Sequence, residues 1–132
     1  MRARIGLAAI LGLSLVAGCG RTKSTDELIS DLQSSEERDR VVAIRLLPER
    51  KADVEKIVPA MIDSLKDKRE DVRLSAAIGL GSFREEARAA IPALQAAARD
   101  GDARVRRAAG VALGRIDPSL APKPGSGEPR GK

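Results

Sequence analysis

Adjacent carboxylates are the residues of this sequence best suited to acid–base chemistry. Examples are the pairs Asp26–Glu27, Glu36–Glu37 and Glu85–Glu86. Two neighbouring carboxyl groups can supply a general acid and a general base. Each pair, however, stands at the start of a predicted helix, where the helix dipole favours negative charge. We therefore interpret the pairs as helix-start residues rather than as catalytic groups.

The sequence lacks the side chains that other kinds of catalysis and ligand binding require. It has no histidine and one cysteine, so its serines have no imidazole base and no all-cysteine metal site or internal disulfide can form. It contains no glycine-rich phosphate loop and no metal-ligand motif. One Phe and no Trp or Tyr leave almost nothing for nucleic-acid bases to stack on. We expect a protein that is not an enzyme and that has no cofactor, metal or nucleic acid as a ligand.

The net charge of +5 is a property of the ends of the chain. Residues 26–116 contain 17 basic and 17 acidic side chains. The excess of basic residues lies before and after this region. A basic protein often binds nucleic acid or an anionic surface, but a neutral central region argues against nucleic acid as the partner.

The only cysteine, Cys19, follows a segment that is typical of exported proteins. Residues 1–4 carry two arginines, and residues 5–17 form an uncharged, mostly apolar run of 13 residues. That run is too short to cross a bilayer as a helix, and it fits the apolar part of a secretory signal. An ordinary signal peptide with a cysteine placed by chance is one interpretation.

The other interpretation is lipidation, because the run ends in Leu-Val-Ala-Gly-Cys at residues 15–19. This sequence resembles the lipobox of bacterial lipoproteins. The resemblance implies cleavage before Cys19 and attachment of lipid to its thiol, with acyl chains such as palmitate anchoring the protein in the membrane. Gly20 stands where Asp would be associated with inner-membrane retention. We therefore expect the bacterial cell envelope, with the outer membrane slightly favoured over the inner.

A period of 33 residues runs through residues 26–116. The segment Val-Pro-Ala-Met at 58–61 aligns with Ile-Pro-Ala-Leu at 91–94. The other aligned pairs are Asp67 with Asp100, Val72 with Val105, Arg73 with Arg106, Ala76 with Ala109, Leu80 with Leu113 and Gly81 with Gly114. A weaker match one period earlier places Arg40 in phase with Arg73. Such a period is the signature of a repeat protein.

Each period contains two amphipathic patterns with helical spacing. We predict six helices, at about 26–33, 36–47, 53–66, 69–81, 85–99 and 102–116. Gly81 and Gly114 are predicted to end helices. Pro59 and Pro92 lie at one phase of the repeat, so either the helices tolerate a bend there or each helix is broken near residue 57 or 90.

The pattern Asp-x4-Val-Arg-x2-Ala-Ala-x2-Leu-Gly at 67–81, followed by Ile-Pro-x-Leu at 91–94, resembles a HEAT repeat of the short bacterial type. Residues 100–114 carry the pattern almost intact, whereas the first unit has Ser34 in place of Asp. The resemblance implies an all-α fold, a short α-solenoid of antiparallel helix pairs with about two and a half repeats. It also implies that second helices line a concave face that binds proteins. A generic small helical bundle is the alternative.

The resemblance and the spacing assign candidate site residues. Asp67 with Arg73, and Asp100 with Arg106, are predicted to form a ladder between repeats. We assign four candidate partner contacts to the second helices of the repeats: Lys56, Asp63, Arg88 and Gln95. We expect a monomer that binds another envelope protein, or alternatively a structural lipoprotein that binds copies of itself. A lyase-like or nucleic-acid-related protein is the least favoured reading.

Four segments follow from these observations. They are a lipoprotein signal peptide at 1–18, a lipidated cysteine and tether at 19–25, a HEAT-like domain at 26–116 and a disordered tail at 117–132. The tail is predicted to be disordered because four Pro and three Gly in sixteen residues leave little apolar surface to bury. We expect the repeat array to fold without it.

Overall fold

The computed structural model describes residues 21–123. The predicted signal peptide at 1–18, the lipidation site at Cys19 and the tail from residue 124 lie outside the described residues. Six α-helices follow in order: α1 Thr25–Asp31, α2 Glu37–Leu46, α3 Val54–Ser64, α4 Glu70–Ser82, α5 Ile91–Ala97 and α6 Ala103–Ile116. Short 3-10 segments connect several of them, and no strand occurs between residues 21 and 123.

The helices pack as three consecutive antiparallel pairs, α1–α2, α3–α4 and α5–α6. The second helices lie side by side, because α4 contacts both α2 and α6. The first helices form the other layer, and the core lies between the two. This arrangement confirms the predicted all-α solenoid. The apolar stripe of α3 explains its place in the core, since Ile57, Val58 and Met61 are all buried at helical spacing.

The two prolines play different parts, although they occupy the same phase of the repeat. Pro59 lies inside α3, which continues past it, as predicted if the helix tolerates a bend at the proline. Pro92 lies in the first turn of α5, preceded by a 3-10 segment, Arg84–Ala90. The first turn suits a residue without an N–H group, because that group would have no helical partner there. The single helix predicted at 85–99 is therefore wrong, and a break before Pro92 is correct.

The sequence predicted that Gly81 and Gly114 end their helices. Both instead lie within helices, Gly81 in α4 and Gly114 in α6. Their role is to allow close packing. A Cβ atom on Gly81 would lie 3.0 Å from the Cα of Ala112, so the absence of a side chain lets α4 and α6 approach. Gly114 is approached in the same way by Ala121, whose Cβ would be 3.0 Å from a Cβ on the glycine.

The start of the predicted disordered tail is ordered, so the boundary at residue 116 is too early. Residues Pro118–Leu120 form a 3-10 turn in which the carboxylate of Asp117 accepts a hydrogen bond from the amide of Ser119 at 2.9 Å. Leu120 packs against the core, and the chain then passes Gly114. The first apolar residues after α6 thus cover part of the last helix, which the composition of the whole tail concealed.

Candidate functional site

A row of arginine–aspartate contacts crosses the turns that precede α2, α4 and α6. Arg73 donates two hydrogen bonds to the carboxylate of Asp100, from Nε at 2.8 Å and from Nη2 at 3.0 Å. One repeat earlier, Arg40 forms an ion pair with Asp67, in which Nη2 donates to Oδ1 at 3.2 Å and Nε lies 2.8 Å from Oδ2 without making a hydrogen bond. Two parallel contacts to one carboxylate fix the guanidinium in orientation as well as in position.

Each arginine of the row also bonds to the turn that precedes its own helix. Arg73 donates to the carbonyl of Asp67 at 2.8 Å, and Arg106 donates to the carbonyl of Asp100 at 2.8 Å. The aspartates hold the turns as well, since Asp100 Oδ1 accepts a hydrogen bond from the amide of Asp102 at 2.9 Å. The row therefore joins neighbouring repeats and stabilises the turn within each repeat.

Burial strengthens the contact between Arg73 and Asp100, whose side chains are only 19% and 13% exposed. The hydrogen bonds from Arg73 lower the pKa of Asp100 below its ordinary value of 3.8, and the amide of Asp102 lowers it further, while desolvation acts in the opposite direction. Asp100 is therefore a charged, largely buried partner at neutral pH. Such a pair orders the fold and leaves no carboxylate free for proton transfer.

The structure brings all four predicted ladder residues into this row, but with a different pairing. The side chain of each aspartate contacts the arginine 27 residues before it, whereas the spacing of six joins an arginine to a backbone carbonyl. The prediction also left out Arg40, which is 6% exposed. The sequence did indicate Arg40, because it shares the phase of Arg73 in the 33-residue period.

The exposed apolar side chains lie on one layer of the solenoid. Within residues 21–123, the large hydrophobic residues that are exposed are Val42, Leu46, Ile78 and Val111, with 41–53% of each accessible. All four belong to α2, α4 or α6, the second helices. Exposed apolar residues gathered on one surface are typical of an interaction site.

A groove of about 380 Å³ runs between α4 and α6 on this layer. Its apolar walls include Leu74 and Ile78 from α4 and Ala108 and Val111 from α6. The charged residues that line it are all arginines: Arg104, Arg107 and Arg115. The groove is therefore lined by apolar residues from both helices and by positive charge from α6.

A second depression, between α2 and α4, is different in charge. Acidic and basic residues line it in equal numbers: Glu36, Glu37, Asp71, Arg38, Arg45 and Arg104. Arg104 lies between the two depressions and bonds to Asp71 at 3.1 Å and to Asp102 at 3.3 Å. The positive character thus belongs to the α4–α6 groove and not to the whole layer.

The four predicted partner residues lie on the opposite layer. Lys56 and Asp63 belong to α3, Gln95 to α5, and Arg88 to the 3-10 segment before α5. All four are exposed. They occupy the first members of the helix pairs, so their assignment to second helices is wrong. The sequence pattern suggested that α3 and α5 are the second helices of their pairs, whereas α3 pairs with the following α4 and α5 with the following α6. That the four residues contact a partner stays a prediction.

Within residues 21–123, none of the helices combines the length and the apolar character that crossing a bilayer requires. The same part of the chain contains no group of three or more Asp, Glu or Cys side chains placed to hold a metal ion. Two of the paired carboxylates have structural partners: Glu27 closes a capping box with Ser24 at the start of α1, and Glu37 bonds to Arg69 at 2.8 Å.

Comparisons with known proteins identify the family of this fold. Residues 25–114 match the profile of a family described as HEAT repeats. Among solved structures, the complex of CpcE and CpcF of phycocyanin lyase from Nostoc sp. PCC7120 contains a similar chain, with a TM-score of 0.69 and 28% identity. The similarity covers 83% of this chain and 43% of that one, so this chain spans less than half of its length. No curated protein matches the chain.

Proposed function

Because the chain belongs to the HEAT-repeat family, we propose that it is a protein-interaction module held at a membrane of the bacterial envelope by lipid on Cys19. The partner is another envelope protein, and the outer membrane is favoured over the inner. The module is not an enzyme and works without a cofactor. In this proposal the solenoid presents a binding surface, and the lipid anchor fixes where that surface is available.

The observation that carries the interaction role is the position of the exposed apolar residues. Ile78 and Val111, which are 53% and 47% exposed, face the same groove from two neighbouring helices. A side chain of this size loses hydrophobic stabilisation when it stays in water. A partner that covers the second-helix layer would recover it. The similar chain in the complex of CpcE and CpcF comes from an assembly of two proteins, which supports a protein partner.

The ladder supports a monomer over a head-to-tail polymer. Stacking a second copy after α6 would need a carboxylate to meet Arg106, as Asp100 meets Arg73. The corresponding position in the first repeat is Ser34, which carries no charge. The two ends of the solenoid therefore do not match.

Cross-linked co-purification from native membranes tests the interaction role. We expect the wild-type protein to recover one partner reproducibly, and Ile78→Gln with Val111→Gln to lose it, because both substitutions make the groove polar. Ala96→Gln is the matched control, since Ala96 is exposed on α5 in the other layer. Equal recovery by all three proteins would contradict the proposal, and recovery of the protein's own copies alone would favour self-assembly.

Cell fractionation with metabolic lipid labelling tests the anchor. Lipidation needs the thiol of Cys19, so Cys19→Ala should lose the label and leave the membrane fraction. The expected change is from membrane-bound to released protein, because a transferred acyl chain contributes about 0.8 kcal/mol for each buried methylene. Continued firm membrane binding by Cys19→Ala, together with an unlabelled wild type, would contradict the anchor.

A further inference from the structure

We propose that the groove between α4 and α6 binds an amphipathic helix of the partner that carries acidic residues beside its apolar face. This inference rests on the proposed interaction role and adds the chemistry of the partner. The occupant has apolar residues along one face and Glu or Asp on the side of that face that lies against α6.

The charge of the groove is positive and mostly uncompensated. No carboxylate lines it, and three arginines do. Arg104 is paired with Asp71 and Asp102, but the side chains of Arg107 and Arg115 make no hydrogen bond or ion pair within residues 21–123. Both are exposed. Charge complementarity across an interface selects partners and speeds their encounter, so these two arginines favour a partner with acidic residues.

The apolar stripe of the groove has the spacing of two helix faces. From α4 come Leu74, Ala77, Ile78 and Gly81, and from α6 come Arg104, Arg107, Ala108, Val111, Ala112 and Arg115. Within each helix these positions recur at intervals of three or four residues or stand next to one another, so each set forms a ridge along one face of its helix. Two neighbouring ridges with exposed apolar residues leave a trough into which the ridge of a third helix can pack.

The length of the groove sets the length of the occupant. Arg104 and Arg115 lie eleven residues apart on α6, which corresponds to about 17 Å along a helix at about 1.5 Å per residue. A partner helix of about three turns therefore spans the groove. Helices that bind in grooves use anchors at positions i, i+3 or i+4, and i+7. Such a helix would place its apolar anchors near Ile78 and Val111 and its acidic flank near Arg107 and Arg115.

Binding of defined peptides to the native full-chain protein in nanodiscs of zwitterionic lipid tests the proposal. One peptide is a helix with Leu at i, i+4 and i+7 and flanking Glu; the second has Lys in place of each Glu. We expect the Glu peptide to bind and the Lys peptide to bind at least about tenfold more weakly, with affinity for the Glu peptide falling as salt rises.

The double variant Arg107→Glu with Arg115→Glu should reverse the preference, losing the Glu peptide by about tenfold and gaining the Lys peptide. Gain of the second peptide also shows that the variant is folded. The matched control, Lys66→Glu with Arg99→Glu, alters exposed basic residues just after α3 and just after α5 and should keep the wild-type preference.

Three results would overturn the proposal: equal binding of both peptides, an unchanged preference in the Arg107→Glu and Arg115→Glu variant, or binding only to anionic phosphatidylglycerol vesicles and to neither peptide. These outcomes are distinct from failure of the proposed function. If neither peptide binds but the native partner is still recovered through Ile78 and Val111, the module stands and its partner is not an acidic helix.

Discussion

The Arg73–Asp100 contact joins two repeats through charges that are largely removed from water. Replacing either residue leaves the other charge without its counter-ion, so the loss should exceed the ~0–1 kcal/mol of an exposed pair. We expect Asp100→Asn and Arg73→Met each to lower the free energy of unfolding by about 2 kcal/mol, within the range between exposed and buried pairs. A double-mutant cycle with chemical denaturation measures the coupling. Additive effects would contradict a direct interaction.

The pH dependence of the same contact has a definite sign. The pKa of Asp100 is lowered in the folded protein from an ordinary value of 3.8. Its stabilising contribution is therefore complete above about pH 4 to 5 and decreases as pH falls through the lower, folded pKa. We expect the stability difference between wild type and Asp100→Asn to shrink over that acidic range in denaturation curves. A difference that stays constant down to pH 2 would show that Asp100 is not stabilised as a carboxylate.

The residues of this row were predictable from sequence, but their pairing was not. Periodicity identifies Asp67 and Asp100 as equivalent because they recur after 33 residues, and it does the same for Arg73 and Arg106. Which arginine meets which aspartate depends on how one repeat stacks on the next. That stacking turns Arg73 towards Asp100 at 2.8 Å, a contact between residues that the repeat alignment never places side by side.

The close approach of α4 and α6 depends on the missing side chain of Gly81. Gly81→Ala would place a Cβ atom 3.0 Å from the Cα of Ala112, and a backbone atom cannot move aside as a side chain can. Overpacking costs about 1–3 kcal/mol and alanine is intrinsically better in a helix by about 1 kcal/mol, so the unfolding free energy should fall by up to about 2 kcal/mol.

Gly101→Ala provides the control for this helix contact, because nothing lies within 4 Å of a Cβ at Gly101. We expect its melting temperature to stay close to that of the wild type, and that of Gly81→Ala to fall by several degrees. Equal melting temperatures for both variants would show that α4 and α6 separate easily, and would remove the structural basis of the groove between them.

Helix positions were predictable because apolar spacing records the buried face directly. Helix ends were less so. Pro59 and Pro92 share a phase in the repeat, yet Pro59 lies within α3 and Pro92 begins α5. The difference lies in the preceding segment, where residues 84–90 adopt a 3-10 conformation and Arg84 has a φ of 53°. A pattern of apolar residues carries no information about such a local change of backbone.

Residues 21–123 form a two-layered solenoid whose layers differ in what they expose. The sequence predicted the solenoid correctly, because the repeat and the helical stripes agree. It did not predict which layer carries the exposed apolar residues, since that depends on which helices pair. One signal was available: Ile78 lies off the stripe formed by Val72, Ala76 and Leu80, and an apolar residue off the buried stripe of a helix must face elsewhere.

Site-specific photo-cross-linking in native membranes tests most directly whether the second-helix layer is the binding surface. A photoreactive amino acid replaces Val111 in one protein and Gln95 in another, so that the same reagent reports on α6 and on α5. The account predicts a protein adduct from position 111, which faces the groove, and none from position 95. An adduct from position 95 alone would place the partner on the opposite layer and contradict the account.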